Sequence, residues 1–102
     1  MSLAVIGPEA EAALDWVGVA RAIEAGHARP RPLMEDVLLR RGGETLLNRS
    51  AWIDGLGLAV KVCTIFPGNR ERPSIQGAVN LLSDADGSLQ AVLDFRLVTK
   101  WK

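Results

Sequence analysis

The order of apolar and polar residues divides the chain into a helical first part and a strand-rich remainder. A short apolar run at residues 3–6 ends at a Gly-Pro pair and predicts a brief strand. Residues 8–14 are rich in helix formers, with proline in the first turn and acids near the amino end, as helices favour. Asp15 is the expected N-cap of a second helix over residues 16–28, whose apolar residues recur at helical spacing.

Beyond a proline-rich segment the pattern changes to strands. Residues 33–41 and 44–53 flank a Gly-Gly pair, which is typical of a hairpin turn. Three further β-type runs follow, at residues 57–66, 74–83 and 88–94. The order of one strand, two helices and about five meandering strands predicts an α+β fold. We expect the two N-terminal helices to pack on a mostly antiparallel or mixed sheet of about six strands.

The last residues, "RLVTKWK", have the start of a helical pattern, with Thr99 as the expected cap. The pattern stops within about one turn, and a tryptophan stands one residue from the end. We therefore expect residues 1–102 to be a fragment of a longer protein.

Composition narrows the classes of function. The formal net charge is zero, with 12 basic and 12 acidic residues, which argues against a nucleic-acid or membrane-surface partner. One cysteine and one histidine argue against a zinc cluster built by this chain alone. The single cysteine and the absence of a signal-peptide pattern indicate a cytoplasmic protein.

Lys61 is the residue that most needs an explanation, since it interrupts an apolar strand. Strand alternation places it on one face with Ala59, Cys63 and Ile65. On one interpretation, which alternation by itself favours, Lys61 is a solvated lysine on an edge strand that prevents aggregation. On the other, it is a partly desolvated ammonium that holds, or donates a proton to, a substrate carbonyl or carboxylate.

Other candidates have plainer interpretations. Asn69, in the polar loop at residues 67–73, has the character of a turn residue that tolerates left-handed geometry. Cys63 is expected to be a small packed side chain rather than a nucleophile. His27 is expected to lie at the surface near a helix end.

Two stretches, "LLNRSAWIDGLGLAVKVCTIFPGN" and "PSIQGAVNLLSDADGSLQAVLDFRLVTKWK", together resemble the ornithine cyclodeaminase/mu-crystallin family. The landmarks are a strand lysine, the "FPGN" turn, the "SIQG" strand and the "DADG" hairpin, in the family's order. The resemblance implies that residues 1–102 form the substrate-binding and dimerisation domain. It also implies that a Rossmann domain that binds NAD or NADP is missing from this chain.

The resemblance also implies roles for individual residues. Lys61 matches the family's catalytic lysine, and Asn69 and Ser74 match positions that line the substrate pocket. Lys102 stands where the family usually has an arginine that contacts the substrate carboxylate.

One family landmark is missing. The family often has a carboxylate-clamping arginine before the first long strand, where this chain has Met34 or Glu35. Arg49, from the neighbouring strand, is the candidate to replace it as a substrate-binding residue. This departure, with lysine for arginine at position 102, suggests a substrate other than ornithine.

The function implied is that of a homodimeric NAD(P)-dependent cyclodeaminase, amino- or imino-acid dehydrogenase or ketimine reductase acting on a small amino or imino acid. This chain alone is expected to be inactive, with no residue of its own for the cofactor. The alternatives are a non-catalytic dimeric ligand-binding module of the mu-crystallin type and an unrelated small α+β interaction domain.

Overall fold

The computed structural model describes residues 3–101 and contains a single six-stranded mixed sheet with short helices before and after it. In chain order the elements are β1 (Ala4–Ile6), a 3-10 helix (Pro8–Ala13), α1 (Trp16–His27), β2 (Leu33–Arg41), β3 (Glu44–Ile53), β4 (Gly57–Ile65), β5 (Ile75–Leu82), β6 (Leu89–Asp94) and α2 (Phe95–Trp101). The α+β fold class and the number of strands predicted from the sequence are confirmed.

The strands lie in the order β1-β6-β5-β4-β3-β2. Strands β2 to β6 form an antiparallel meander, and β1 pairs in parallel with β6. Gly42 has a φ of 59° in the β2–β3 turn, a backbone conformation that glycine adopts without strain. The edge strands are therefore β1 and β2, and β4 lies inside the sheet.

The two N-terminal helical segments differ from each other. Residues Pro8–Ala13 form a 3-10 helix rather than an α-helix, because the segment is short and must end before Asp15 starts α1. The carboxylate of Asp15 accepts a hydrogen bond from the Gly18 amide at 2.6 Å, which confirms the predicted N-cap. Helix α1 buries no residue, and Trp16 of its apolar stripe is 63% exposed.

Helix α2 begins at Phe95, before the position predicted for its cap. The carboxylate of Asp94 accepts a hydrogen bond from the Arg96 amide at 2.8 Å and starts the helix there. Thr99 lies inside the helix, so its predicted role as the cap is wrong. The early start places Leu97 in the core, where it is buried.

The core lies on one side of the sheet. We call the side that carries Ala59, Lys61, Cys63 and Ile65 of β4 the lysine face, and the other side the opposite face. The buried strand residues Cys63, Val79 and Ala91 all belong to the lysine face. Among residues 3–101, no strand residue of the opposite face is buried.

The described part of the chain has neither a membrane-spanning helix nor a cluster of metal ligands. No helix within residues 3–101 has the length and apolar character needed to cross a membrane. In the same range, no three histidine, cysteine or acidic side chains stand close enough together to hold a metal ion.

Candidate functional site

Lys61 lies in the middle of the sheet. Its strand, β4, is flanked by β3 and β5, and Lys61 pairs directly with Arg49 on one side and Val79 on the other. The side chain is half-buried. The interpretation of Lys61 as an edge-strand lysine is therefore wrong, since both sides of its strand are already paired and need no protection against aggregation.

Three charged residues form a row across neighbouring strands on the lysine face. The register pairs Asp36 of β2 with Arg49 of β3, and Arg49 with Lys61 of β4. Directly opposed residues in a sheet project to the same side, with Cβ atoms about 5 Å apart. We call these residues the charged row.

Within the charged row, arginine and aspartate form a two-pronged ion pair. Arg49 donates from Nε to Oδ1 of Asp36 at 3.0 Å, and from Nη2 to Oδ2 at 2.9 Å. These hydrogen bonds, with the nearby charges of Arg49 and Lys61, hold the pKa of Asp36 below its ordinary value of 3.8. Both partners are partly exposed, so the pair orients the two side chains more than it stabilises the fold.

Lys61 keeps its charge available. Among residues 3–101 it has no carboxylate within ion-pair distance, because Asp36 is bonded to Arg49. Its neighbours on the lysine face include the buried Cys63 and Val79. Cys63 is thus a packed side chain, as predicted. An ammonium held on a rigid strand among apolar groups is suited to binding an anion, since charge-assisted hydrogen bonds are strong there.

The packing of two strands explains why the "SIQG" segment has a glycine, Gly77. Gly77 lies opposite Cys63, two residue pairs along the strands from the Lys61–Val79 pair. A Cβ at this position would collide with the carbonyl oxygen of Val62 and would stand 2.8 Å from Cβ of Cys63. The missing side chain thus allows β4 and β5 to come together beside Lys61.

The loop at residues 67–73 holds itself closed through Asn69. The Asn69 side-chain amide donates to the Pro73 carbonyl at 3.0 Å, and its backbone amide donates to the Phe66 carbonyl at 3.0 Å. No residue other than glycine has a positive φ within residues 3–101, so the left-handed geometry considered for Asn69 is wrong. Its side chain shapes the loop by hydrogen bonding instead.

The predicted substrate-binding residues fall into separate groups. Arg49 stands beside Lys61, whereas Asn69 and the exposed Ser74 lie past the end of β4. That places them roughly 13 Å or more from Lys61 along the strand direction. The pocket roles of all four residues stay predictions, and Lys102 lies outside the described residues. His27 is exposed, and its Nδ1 lies 2.9 Å from the Ile23 carbonyl.

Sequence reasoning missed Asp36, although a signal for it was present. The two-residue turn at Gly42-Gly43 pairs Arg41 with Glu44. Counting back along both strands from that pair brings Asp36 opposite Arg49. The hairpin turn therefore contained the information needed to find the ion pair.

Asp84 of the "DADG" turn was also missed, and it fixes the turn at the other end of β3. Its carboxylate accepts from Nε1 of Trp52 and from the Gly55 amide, both at 2.7 Å. These bonds lower the pKa of Asp84. Asp84 is therefore a structural anchor, some distance from the charged row.

Both the sequence and the fold of this chain are similar to those of known proteins. The chain is 41% identical over 96 residues to a Δ1-pyrroline-2-carboxylate reductase of Paracoccus denitrificans, covering 92% of this chain and 30% of that protein. A crystal structure of a probable ornithine cyclodeaminase from Bordetella pertussis superposes with a TM-score of 0.79 and 25% identity, over 97% of this chain and 32% of that one. No protein-family model matches the chain.

A second solved structure supports the fold alone. The Δ1-pyrroline-2-carboxylate reductase of Thermococcus litoralis, solved with NADH and L-proline, has a TM-score of 0.71 at 17% identity, over 94% of this chain and 33% of that one. The chain thus spans about a third of the length of the proteins that it matches. These comparisons confirm the resemblance to the ornithine cyclodeaminase/mu-crystallin family.

Proposed function

Because the chain is a relative of the ornithine cyclodeaminase/mu-crystallin family, we propose that it forms the substrate-binding part of an NAD(P)H-dependent reductase of a small cyclic imino acid. The observation that carries the proposal is Lys61. It is half-buried on an inner strand, has apolar neighbours and, within residues 3–101, has no carboxylate to neutralise it. A substrate carboxylate supplies that missing partner.

The chemistry divides between this chain and a cofactor. Reduction of a C=N bond adds a hydride to the carbon and a proton to the nitrogen, and the nicotinamide supplies the hydride. Lys61 holds the substrate carboxylate, or donates a proton, from a position that the sheet fixes. Residues 3–101 contain no glycine-rich turn from a strand into a long helix that would bind a pyrophosphate. We therefore assign the cofactor to a part of the protein outside this chain.

We propose that this domain is part of a longer protein. The relatives are about three times the length of this chain, and a domain that buries so few residues leaves much apolar surface for further contacts. The apolar stripe of α1 is one such surface, with Trp16 and Ile23 both exposed. Residues 1–102 are the substrate-binding and dimerisation domain of that protein.

The opposite face is the proposed dimer interface. Its central residues Val60, Val62 and Thr64 alternate with Lys61 and Cys63 and are only half-buried. Neighbouring strands add Leu46, Trp52, Ala78 and Val92 to the same side. Polar residues lie between these apolar ones, since Asn48 and Ser50 of β3 pair with Val62 and Val60. A second copy of this partly apolar sheet face would complete its burial, since sheets pack face to face about 10 Å apart.

The experiment is a cofactor-dependent assay on the full-length protein. Δ1-pyrroline-2-carboxylate is supplied with NADH or NADPH, and we expect oxidation of the cofactor with formation of proline. Pyrrole-2-carboxylate, a flat analogue that cannot be reduced, serves as a binding control. Binding of this analogue without turnover of any cyclic imino acid in a small panel would contradict the proposed enzyme and favour a non-catalytic binding module.

A further inference from the structure

Asp36 lies on an exposed edge strand but is aligned with the two cations of the charged row. Strand β2 is exposed along its whole length, yet Asp36 lies in register with Arg49 and, through it, with Lys61. Two cations opposite each other on adjacent strands repel. The acid at the end of the row offsets that repulsion.

The ion pair between Asp36 and Arg49 has a defined two-pronged geometry. Both carboxylate oxygens of Asp36 accept from the guanidinium of Arg49, at 3.0 and 2.9 Å, so the Nε–Nη2 side of the guanidinium and its charge are already matched by a carboxylate. Lys61 forms no ion pair with Asp36, the acid of the row. The row therefore contains one neutralised cation and one available cation, and its net formal charge is +1.

We infer that Asp36 is a specificity-determining residue that acts through Arg49: it restricts the site to substrates with a single carboxylate. This inference rests on the proposed function, since it assumes that Lys61 binds the substrate carboxylate. A substrate with a second carboxylate would have to displace Asp36 from Arg49 or lie unpaired beside a negative charge. Either way the second carboxylate loses water without gaining a cation, which disfavours its binding.

The test uses two ligands that differ only in the second carboxylate. The affinities of pyrrole-2-carboxylate and pyrrole-2,5-dicarboxylate for the full-length protein are measured by calorimetry. We expect the wild type to favour the monocarboxylate. In Asp36→Asn, Arg49 is released, and we expect the affinity ratio to shift toward the dicarboxylate by about tenfold, the effect of one charge-assisted hydrogen bond.

The double variant Asp36→Asn, Arg49→Met separates specificity from general damage. It restores a row with the wild-type net charge, so the ratio should return to within about twofold of the wild type, below the effect of one hydrogen bond. Asp36→Ser repeats the test should the asparagine variant fold poorly. An unchanged ratio in both single variants would overturn the inference, as would a shift that persists in the double variant.

Two outcomes separate this inference from the proposed function. Absence of monocarboxylate binding to the wild type would overturn the inference, whatever the turnover assay shows. Failure of NAD(P)H-dependent turnover, with the expected ratio shift still present, would overturn only the proposed enzyme.

Discussion

The two faces of the sheet differ in charge and burial, although their residues alternate along the same strands. The lysine face carries the charged row and all the buried strand residues within residues 3–101. The opposite face carries half-buried valines on β4 and, over the same range, no buried strand residue. A strand only nine residues long can thus present chemistry on one side and an assembly surface on the other.

The largest expected effect is on the lysine face. Lys61→Met in the full-length protein should lower kcat/KM for Δ1-pyrroline-2-carboxylate by about 100-fold or more, since a positioned acid or cation contributes on that scale. Steady-state kinetics measure it. Lys100→Met is the matched control, because Lys100 is an exposed lysine of α2 paired with Glu11 and should change little. Wild-type kinetics in Lys61→Met would show that Lys61 has no part in the reaction.

The next effect is on the opposite face. Val62→Asp places a carboxylate in the proposed dimer interface, where burying an unpaired charge should weaken association by about 100-fold or more. Light scattering over a range of concentrations measures the mass. Val17→Asp, on the exposed surface of α1, introduces the same charge and should leave the dimer intact. A dimer that survives Val62→Asp would place the interface elsewhere.

The packing between β4 and β5 offers a smaller effect, on stability. Gly77→Ala should lower the free energy of unfolding by about 1–3 kcal/mol, because the new methyl group collides with backbone atoms of β4. Gly68→Ala is the control, since no atom lies within 4 Å of the place its Cβ would take and its φ is not positive. Urea unfolding measures both variants. If Gly77→Ala is as stable as Gly68→Ala, then β4 and β5 accommodate the methyl group without a loss of stability.

The smallest expected effect is on the pH dependence of stability, through a turn residue, Asp84. Asp84 anchors the β3–β4 turn, and its pKa is lowered by hydrogen bonds from Trp52 and Gly55. A depressed folded-state pKa stabilises the fold above the ordinary value of 3.8, and that contribution is lost as pH falls through the folded value. Asp84→Asn should therefore lower the urea midpoint at pH 7 and reduce its fall toward pH 3. A variant with the wild-type pH profile would contradict this role.

The strands were predictable because each depends on local information. The runs at 33–41 and 44–53 agree with β2 and β3, since alternation and the Gly-Gly turn act over a few residues. The start of α2 was not predicted, because Asp94 ends a strand and caps a helix at once. Thr99 was predicted to be the cap because the sequence did not show that Asp94 caps the helix.

The candidate site was predictable in part. The family resemblance pointed to Lys61, but its own strand could not show whether it lay at an edge, since strand order depends on β5 and β6, which come later in the chain. The partnership of Asp36 with Arg49 depends on pairing register, which composition does not reveal. Such rows of charged residues can be predicted from a sequence only by aligning neighbouring strands from the hairpin turn that joins them.

The division between the two faces can be tested through the affinity of pyrrole-2-carboxylate for two neighbouring variants of the full-length protein, Lys61→Met and Val62→Asp. Calorimetry should find binding weakened at least about tenfold in the first, which loses the cation, and changed by less than about twofold in the second. Equal affinities in the two variants, or wild-type affinity in Lys61→Met, would show that the lysine face does not bind the carboxylate.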